Sequence, residues 1–340
     1  MKGSNPFVPW DETVIMGRKQ QMEAFSVFLD RVAGGSSGVL LLYGIPGSGK
    51  SMLMKLFHAE AQKRGLFAPY MKVEKRDKLD RISKALFSEL ENEIAAKEPS
   101  RADVFSKEGN TGTLKGVIGA LEKVMHSNFP GVVFLIDDLD RTRKSEEMIR
   151  NIANVAKEKR KVGFVVSSTK RFEPPENAET MHLDPVEEQE FHDYIAKMLK
   201  KEPKMGEECI KAIYADCGGN PKLLKQVCWI LYDSIRENEK MITKAHYVAN
   251  MRSMISFLSR DWFGKLYATA SQQEKIILKN LARAPGPLSV KELAAGLNKG
   301  MGPVATLLIR LEGKGHIIRV ERGRYKIFSK LYAKFIQERG

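Results

Sequence analysis

VLLLYGIPGSGKS, residues 39–51, is the stretch from which the rest of the chain can be read. The unbroken apolar run Val39–Tyr43 is what a strand buried on both faces of a sheet requires. It leads directly into Gly44-Ile45-Pro46-Gly47-Ser48-Gly49-Lys50-Ser51, and a helical pattern then extends from Lys50 to about Arg64. The eight residues match GxxxxGK[ST] in full, with a strand before and a helix after, the context in which this motif is credible. Glycines allow the chain to curl so that successive N–H groups face an anion. The positive end of the following helix adds to that field. The expected ligands are ATP and Mg²⁺. Gly44, Pro46, Gly47, Ser48, Gly49, Lys50, Ser51 and Met52 are the predicted nucleotide contacts, with Lys50 on the β and γ phosphates and Ser51 on the metal.

Working outward, residues 18–33 place Met22, Phe25, Phe28, Leu29 and Val32 on one helical face, and GGSSG at 34–38 ends that helix. LFAPYMKVE at 66–74 reads as the next strand and 79–96 as a helix. The polar, glycine-containing stretch 97–113 reads as an exposed loop. GVVFLIDDLD at 131–140 is a second buried strand, a helix follows over 144–160, and VGFVVSS at 162–168 is a third strand. Alternating strands and helices predict an α/β fold, a parallel P-loop sheet covered on both faces.

That order gives the acids a role. The stretch VVFLIDD at 132–138 delivers Asp137, which should share Mg²⁺ with Ser51. Asp138 follows where many hydrolysing P-loop proteins place a water-activating acid. An aspartate is shorter than the usual glutamate, which predicts slow turnover; Asp138 alternatively orients water or caps a helix. Lys50, Asp137 and Asp138 are the predicted catalytic set. The third strand ends in Ser167, Ser168, Thr169, Lys170 and Arg171, and parallel strands present their C-terminal ends to a ligand. Thr169, Lys170 and Arg171 are therefore candidate nucleotide contacts, with Lys170 or Arg171 as the γ-phosphate sensor; each cation alone is equally readable as a solvated loop residue.

Helical patterns at 187–201, 206–217 and 221–237 suggest a small lid bundle, and 241–268 a connector with apolar residues on more than one face. After it, 272–284 reads as a helix. Residues 289–297 begin with a Ser289/Glu292 capping box, 302–313 form a third helix, and HIIRVERGRYKIF at 316–328 reads as two strands around a basic tip. This order matches a winged helix-turn-helix. The expected domains are a P-loop core at 1–180, a lid at 181–240, a connector at 241–270 and a winged helix at 271–340.

Charge bears on partners. Net charge is +14, and residues 271–340 hold 14 Lys plus Arg against 5 Asp plus Glu, so +9 of it lies there. Such an excess favours anionic partners, nucleic acid first and an anionic membrane surface second. Lys299, Arg310 and Lys314 around the third helix and Arg322, Arg324 and Lys326 on the wing are the candidate contacts to duplex DNA. Winged helices also serve as protein-contact modules, so self-association or a protein partner stays open. No run approaches the roughly 18 apolar residues of a spanning helix, and MKGSNPFVPWDE at 1–12 has no apolar signal core. A cytoplasmic protein without a membrane partner is expected. Cys209, Cys217 and Cys228 match no zinc or redox spacing and read as small core hydrophobes. The six histidines, including His126, sit in no paired ligand spacing, so no structural metal is expected.

Taken together, the motifs resemble the AAA+-related STAND ATPases, more narrowly the archaeal group with a C-terminal winged helix. VIMGRKQQMEAF at 14–25 resembles the GRE-type opening that packs near adenine, departing from it at Lys19. GIPGSGKS, LIDDLD, SSTKR at 167–171 and GGNPKLLKQV at 218–227 complete the likeness, which covers residues 10–235. It implies that Pro221 contacts the base or ribose and reports nucleotide state to the C-terminal domain. Lys222 follows it where origin-recognition-type relatives carry a second-sensor arginine. An arginine finger is not assignable among Arg141, Arg143, Arg150 and Arg160. Two functions are expected: an ATP-dependent, DNA-associated switch, or a signalling scaffold in which ATP exchange drives oligomerisation.

Overall fold

The computed structural model describes residues 4–8, 14–75, 77–109, 112–125 and 129–339; parts of the opening segment and His126 lie outside the described residues. The chain divides into a sheet unit, residues 18–44 and 49–183, and a helical unit, residues 1–17, 45–48 and 184–340.

The order in the sheet unit is α1 (Lys19–Ala33), β1 (Gly38–Tyr43), α2 (Lys50–Lys63), β2 (Tyr70–Lys72), α3 (Leu79–Lys97), α4 (Pro99–Gly109), α5 (Leu114–Met125), β3 (Val132–Asp137), α6 (Ser145–Glu158), β4 (Val162–Ser168) and β5 (Ala178–His182). The five strands pair in the order β2-β3-β4-β1-β5, all parallel. Period-two alternation explains why both faces need helices. Val39, Leu41, Phe134, Ile136 and Val166 enter one core with Ile82, Leu86 and Ile152. Leu40, Leu42, Val133, Leu135 and Val165 enter the other with Phe25, Phe28, Leu53 and Phe57. Each such side chain contributes about 1.5–3 kcal/mol when fully buried. The rings of Phe25 and Phe57 stack at 3.9 Å, tying α1 to α2. Glycine is required at 163, because a Cβ there would lie 2.9 Å from the Phe28 ring.

Two segments differ from expectation. Residues 97–113 are largely helical, because α4 inserts Phe105 fully into the core and stacks it on Phe87 at 5.0 Å. The anticipated strand at 66–74 shrinks to three residues plus a bridge from Phe67 to Val132. Pro69 has no N–H to donate, and the Ala68 N–H turns to the Glu93 carboxylate at 3.0 Å.

In the helical unit follow α7 (Glu188–Met198), β6 (Lys204–Met205), α8 (Glu207–Cys217), α9 (Pro221–Ser234), β7 (Met241–Ile242), α10 (Lys244–Ala249), α11 (Met251–Leu258), a π-helical turn (Ser259–Phe263) and α12 (Gly264–Ala268). The π turn accounts for the apolar residues read on several faces. Its wider turn swings Trp262, Phe263, Leu266 and Tyr267 back toward the core that already holds Met254, Ile255 and Leu258. Cys209, Cys217 and Cys228 are free and buried in this core, and burial pushes the Cys209 thiol up to about 12.

The chain ends with α13 (Gln272–Arg283), β8 (Leu288–Ser289), α14 (Val290–Gly296), α15 (Met301–Gly313), β9 (Ile317–Glu321), β10 (Arg324–Ile327) and α16 (Lys330–Gln337). The three strands form an antiparallel sheet, β8-β10-β9. Both bonds of the capping box are present at Ser289/Glu292, and a second box stands at Ser271/Glu274. Among the described residues no helix is long and apolar enough to cross a membrane.

His316 is wholly buried between the Thr269 hydroxyl at 3.0 Å and the Tyr332 hydroxyl at 2.8 Å. Burial, aided by the nearby Lys314 charge and opposed by Glu274, pushes its pKa down to about 4. The unfolded chain therefore takes up a proton near pH 6.5 that the folded chain refuses until about pH 4, and stability should fall with pH across that window by on the order of 3 kcal/mol. Urea unfolding at a series of pH values checks this: His316→Gln should flatten the slope.

Candidate functional site

The C-terminal ends of β1, β3 and β4 bring Lys50, Asp137, Asp138, Asp140 and Thr169 together. At the start of α2, Gly49 takes φ +95°, a conformation glycine adopts without strain. Lys50 is the first residue of α2 and is buried. Its ammonium donates to the Gly44 carbonyl at 2.6 Å and to the Thr169 hydroxyl at 3.2 Å. Burial holds its pKa below the ordinary lysine value, opposed by Asp138, Asp140 and Asp137 and reinforced by Lys72. These acids favour the charged form that would meet a phosphate.

Asp137 ends β3 and is completely buried. Ser167 Oγ donates to its Oδ1, and Tyr70 Oη donates to its Oδ2 at 3.1 Å. Ser167 also accepts from the Asp138 N–H at 2.9 Å, so one hydroxyl from β4 fixes two consecutive residues of β3 and its turn. Asp138 itself stands in the left-handed region at φ 58°, which is uncommon outside glycine. Its carboxylate faces Lys72 Nζ at 3.4 Å and Arg141 Nε at 3.2 Å. Asp140 accepts from the Thr169 N–H at 3.2 Å and so holds the β4 end against the turn after β3.

The donors fit magnesium. The Ser51 hydroxyl and the Asp137 carboxylate are hard oxygens, and Lys72 Nζ approaches both, at 3.4 Å and 3.8 Å, so they face one small region. A metal there would offset phosphate charge and polarise the terminal phosphoryl group. Of the remaining expected contacts, Lys170 pairs with Glu146 at 2.5 Å over the Phe172 ring, whereas Arg171 is exposed. Tyr70 and Lys72 were not anticipated. Their strand was, and its register, with Lys72 opposite Asp137 and Tyr70 opposite Leu135, is the signal that would have found them.

Residues 45–48 of the glycine loop group with the helical unit. There Asn220, the N-cap of α9, donates from its side chain to the Pro46 carbonyl at 3.0 Å, and the Lys222 N–H donates to the Gly47 carbonyl at 3.2 Å. Gly47 takes φ +81°, and a Cβ on it would lie 2.7 Å from Asn220 Oδ1 and 2.8 Å from the Trp262 ring. Lys222 stands over that ring at 4.7 Å and pairs with Asp261 at 3.3 Å. Pro221 occupies the first position of α9, where its missing N–H is harmless.

The C-terminal cations divide into two sets. Lys299, Arg310, Arg322 and Lys326 are exposed. Lys314 instead donates to Glu274 at 2.6 Å and to the Thr269 carbonyl at 2.9 Å. Arg324 is tied to the Pro287 carbonyl at 2.6 Å and to Glu321 at 3.3 Å.

Ser167→Ala should leave a buried carboxylate and a part-buried N–H each short of a partner. A stability loss of about 2–3 kcal/mol is expected, read by urea unfolding.

Comparison with known proteins bears on the fold. Residues 14–166 match the AAA ATPase domain model. No curated protein matches the sequence. Among solved structures, a Walker-type ATPase of Pyrococcus abyssi is 15% identical, with 95% of this chain and 96% of that one aligned at a TM-score of 0.69. A STAND protein with a tetratricopeptide repeat sensor from Pyrococcus horikoshii is 15% identical over 96% of this chain and 43% of that one, at a TM-score of 0.45. The ORC1 protein of Aeropyrum pernix, solved in complex with DNA, is 14% identical over 98% and 95%, at a TM-score of 0.49. Over residues 14–166 the chain is thus similar to the AAA ATPase domain, and it carries the parallel α/β fold of P-loop ATPases.

Proposed function

We propose that this protein is an ATP- and Mg²⁺-dependent switch that slowly hydrolyses ATP and docks a C-terminal winged helix on duplex DNA. The observation that carries the nucleotide half is the grouping of Lys50, Ser51, Asp137 and Asp138 at the strand ends. Lys50 meets the phosphates, Ser51 and Asp137 hold the metal, and Asp138 activates water. Its carboxylate pairs with Lys72 and Arg141, and its short side chain sits on a turn that Ser167 fixes. A short carboxylate already engaged by two cations reaches an attacking water poorly, and turnover is slow. Thr169 follows the γ-phosphate through Lys50. Asn220, Pro221 and Lys222 read the glycine loop from the lid and pass the nucleotide state on to the C-terminal segment.

The DNA half rests on the exposed cations of the last segment. Lys299 and Arg310 flank or lie on α15, and Arg322 and Lys326 mark the wing. Such side chains meet backbone phosphates, which supply affinity, while base contacts supply specificity. Lys314 and Arg324 are already engaged within the protein and serve the fold of that segment instead. We place the protein in the cytoplasm.

One observation favours a second reading. Met301 and Ile309 on α15 are 60% and 61% exposed, and Val320 on β9 is 41% exposed. Apolar side chains on the helix that would enter the groove suit a protein surface, as in a signalling scaffold that assembles on ATP exchange.

Turnover of Mg-ATP with and without duplex DNA separates the two. Stimulation by DNA, lost in Lys50→Ala, is the expected result; DNA-independent turnover with ATP-dependent assembly would favour the scaffold. In a gel-shift or anisotropy titration, Arg322→Ala with Lys326→Ala should weaken DNA binding about 10-fold or more at low salt and lower the salt slope by about 2. ATP binding by that double variant should be unchanged.

A further inference from the structure

Lys72 places a positive charge among the oxygens assigned to the metal. Its ammonium lies 3.4 Å from Ser51 Oγ, 3.8 Å from Asp137 Oδ2 and 3.4 Å from Asp138 Oδ2. The backbone fixes this approach. β2 pairs with β3 in parallel with Lys72 opposite Asp137, and the Val73 N–H donates to the Asp137 carbonyl at 2.8 Å. Tyr70 lies on the same face of β2, two residues away, and spends its hydroxyl on Asp137 as well. β2 therefore delivers one hydroxyl donor and one nearby cation to the same acid.

We propose that Lys72 competes with the divalent metal for these oxygens and so sets the metal concentration the nucleotide site requires. The inference rests on the nucleotide reading given above. Magnesium binds oxygen at about 2.1 Å and needs near-octahedral geometry. A metal on Ser51 and Asp137 would fall within a few ångströms of the ammonium, and the two positive charges repel. Both draw on the same lone pairs, so the lysine must withdraw as the metal enters. Its position allows this. β2 is an edge strand, the Lys72 side chain is 45% exposed, and its four-carbon stem is flexible. Asp138 keeps a cation when Lys72 leaves, because Arg141 stays within 3.2 Å of it. For fully buried Asp137 no second ion pair is found among the described residues, and it passes from the ammonium to the metal. Lys50 is not the competitor, since its ammonium is held by the Gly44 carbonyl and Thr169.

The test uses the full chain and a fluorescent N-methylanthraniloyl ATP, with free Mg²⁺ raised from EDTA to saturation. Its readout is the Mg²⁺ midpoint of nucleotide binding, not turnover. Because water screens a half-exposed lysine, the expected effect of Lys72→Met is a fall in that midpoint of about 5- to 10-fold. Lys72→Gln should behave the same way and guards against a folding defect peculiar to one variant. Lys72→Arg keeps the charge and should stay near the wild-type midpoint. Midpoints of Lys72→Met and Lys72→Gln within about twofold of wild type, with nucleotide still bound, would overturn the proposal alone. A wild type that binds no more nucleotide than Lys50→Ala at saturating Mg²⁺ would overturn the nucleotide reading and this proposal with it.

Discussion

The carboxylate of Asp137 is fully buried at the end of β3, held by the Ser167 hydroxyl on one oxygen and the Tyr70 hydroxyl on the other. A carboxylate removed from water is strongly destabilising unless each oxygen is matched by a donor or a cation. That requirement sets the neighbours. β4 must present a hydroxyl at its last turn, β2 must run close enough to bring Tyr70 and Lys72, and both must pair with β3 in parallel. The strand order and the site chemistry are in this sense one constraint. A different neighbour on either side of β3 would leave the acid short of a partner.

Ser167 extends the constraint by one residue. By accepting from the Asp138 N–H it helps hold that residue in a left-handed turn, which directs the Asp138 carboxylate toward Lys72 and Arg141. Asp140 then reaches the Thr169 N–H, and Thr169 accepts from Lys50. The turn after β3, the end of β4 and the first residue of α2 are linked by hydrogen bonds, so a displacement of one strains the others. In the helical unit Asn220 does comparable work, capping α9 through the Leu223 N–H while its amide nitrogen holds the Pro46 carbonyl.

Local patterns carried most of the sheet unit. The apolar runs at β1, β3 and β4, the glycine loop and the paired acids are all contiguous in sequence, and each has one physical reading. What escaped was non-local or mixed in polarity. Tyr70 and Lys72 became visible only when β2 was placed beside β3, since nothing near them in sequence specifies that neighbour. β5, AETMH, has a single well-buried residue, Met181, and shows no alternation strong enough to mark an edge strand. α4 hid behind its polar composition because one ring, Phe105, supplies most of its anchoring. At the C-terminus the capping boxes were legible from Ser289 and Glu292, whereas the inward turn of Lys314 and Arg324 depends on partners 40 and 37 residues away.

Trp262 gives the helical unit an optical property. Its indole lies against Gly47 and beneath the Lys222 ammonium, whereas Trp229 packs on Phe257 at 5.3 Å. Indole emission responds to the field of an adjacent charge and to the polarity around the ring. A cation held 4.7 Å above the ring and a backbone pressed on its edge make Trp262 an intrinsic fluorophore tuned to the position of the glycine loop. Rearrangement of that loop is thereby encoded in the colour of the protein's own ultraviolet emission.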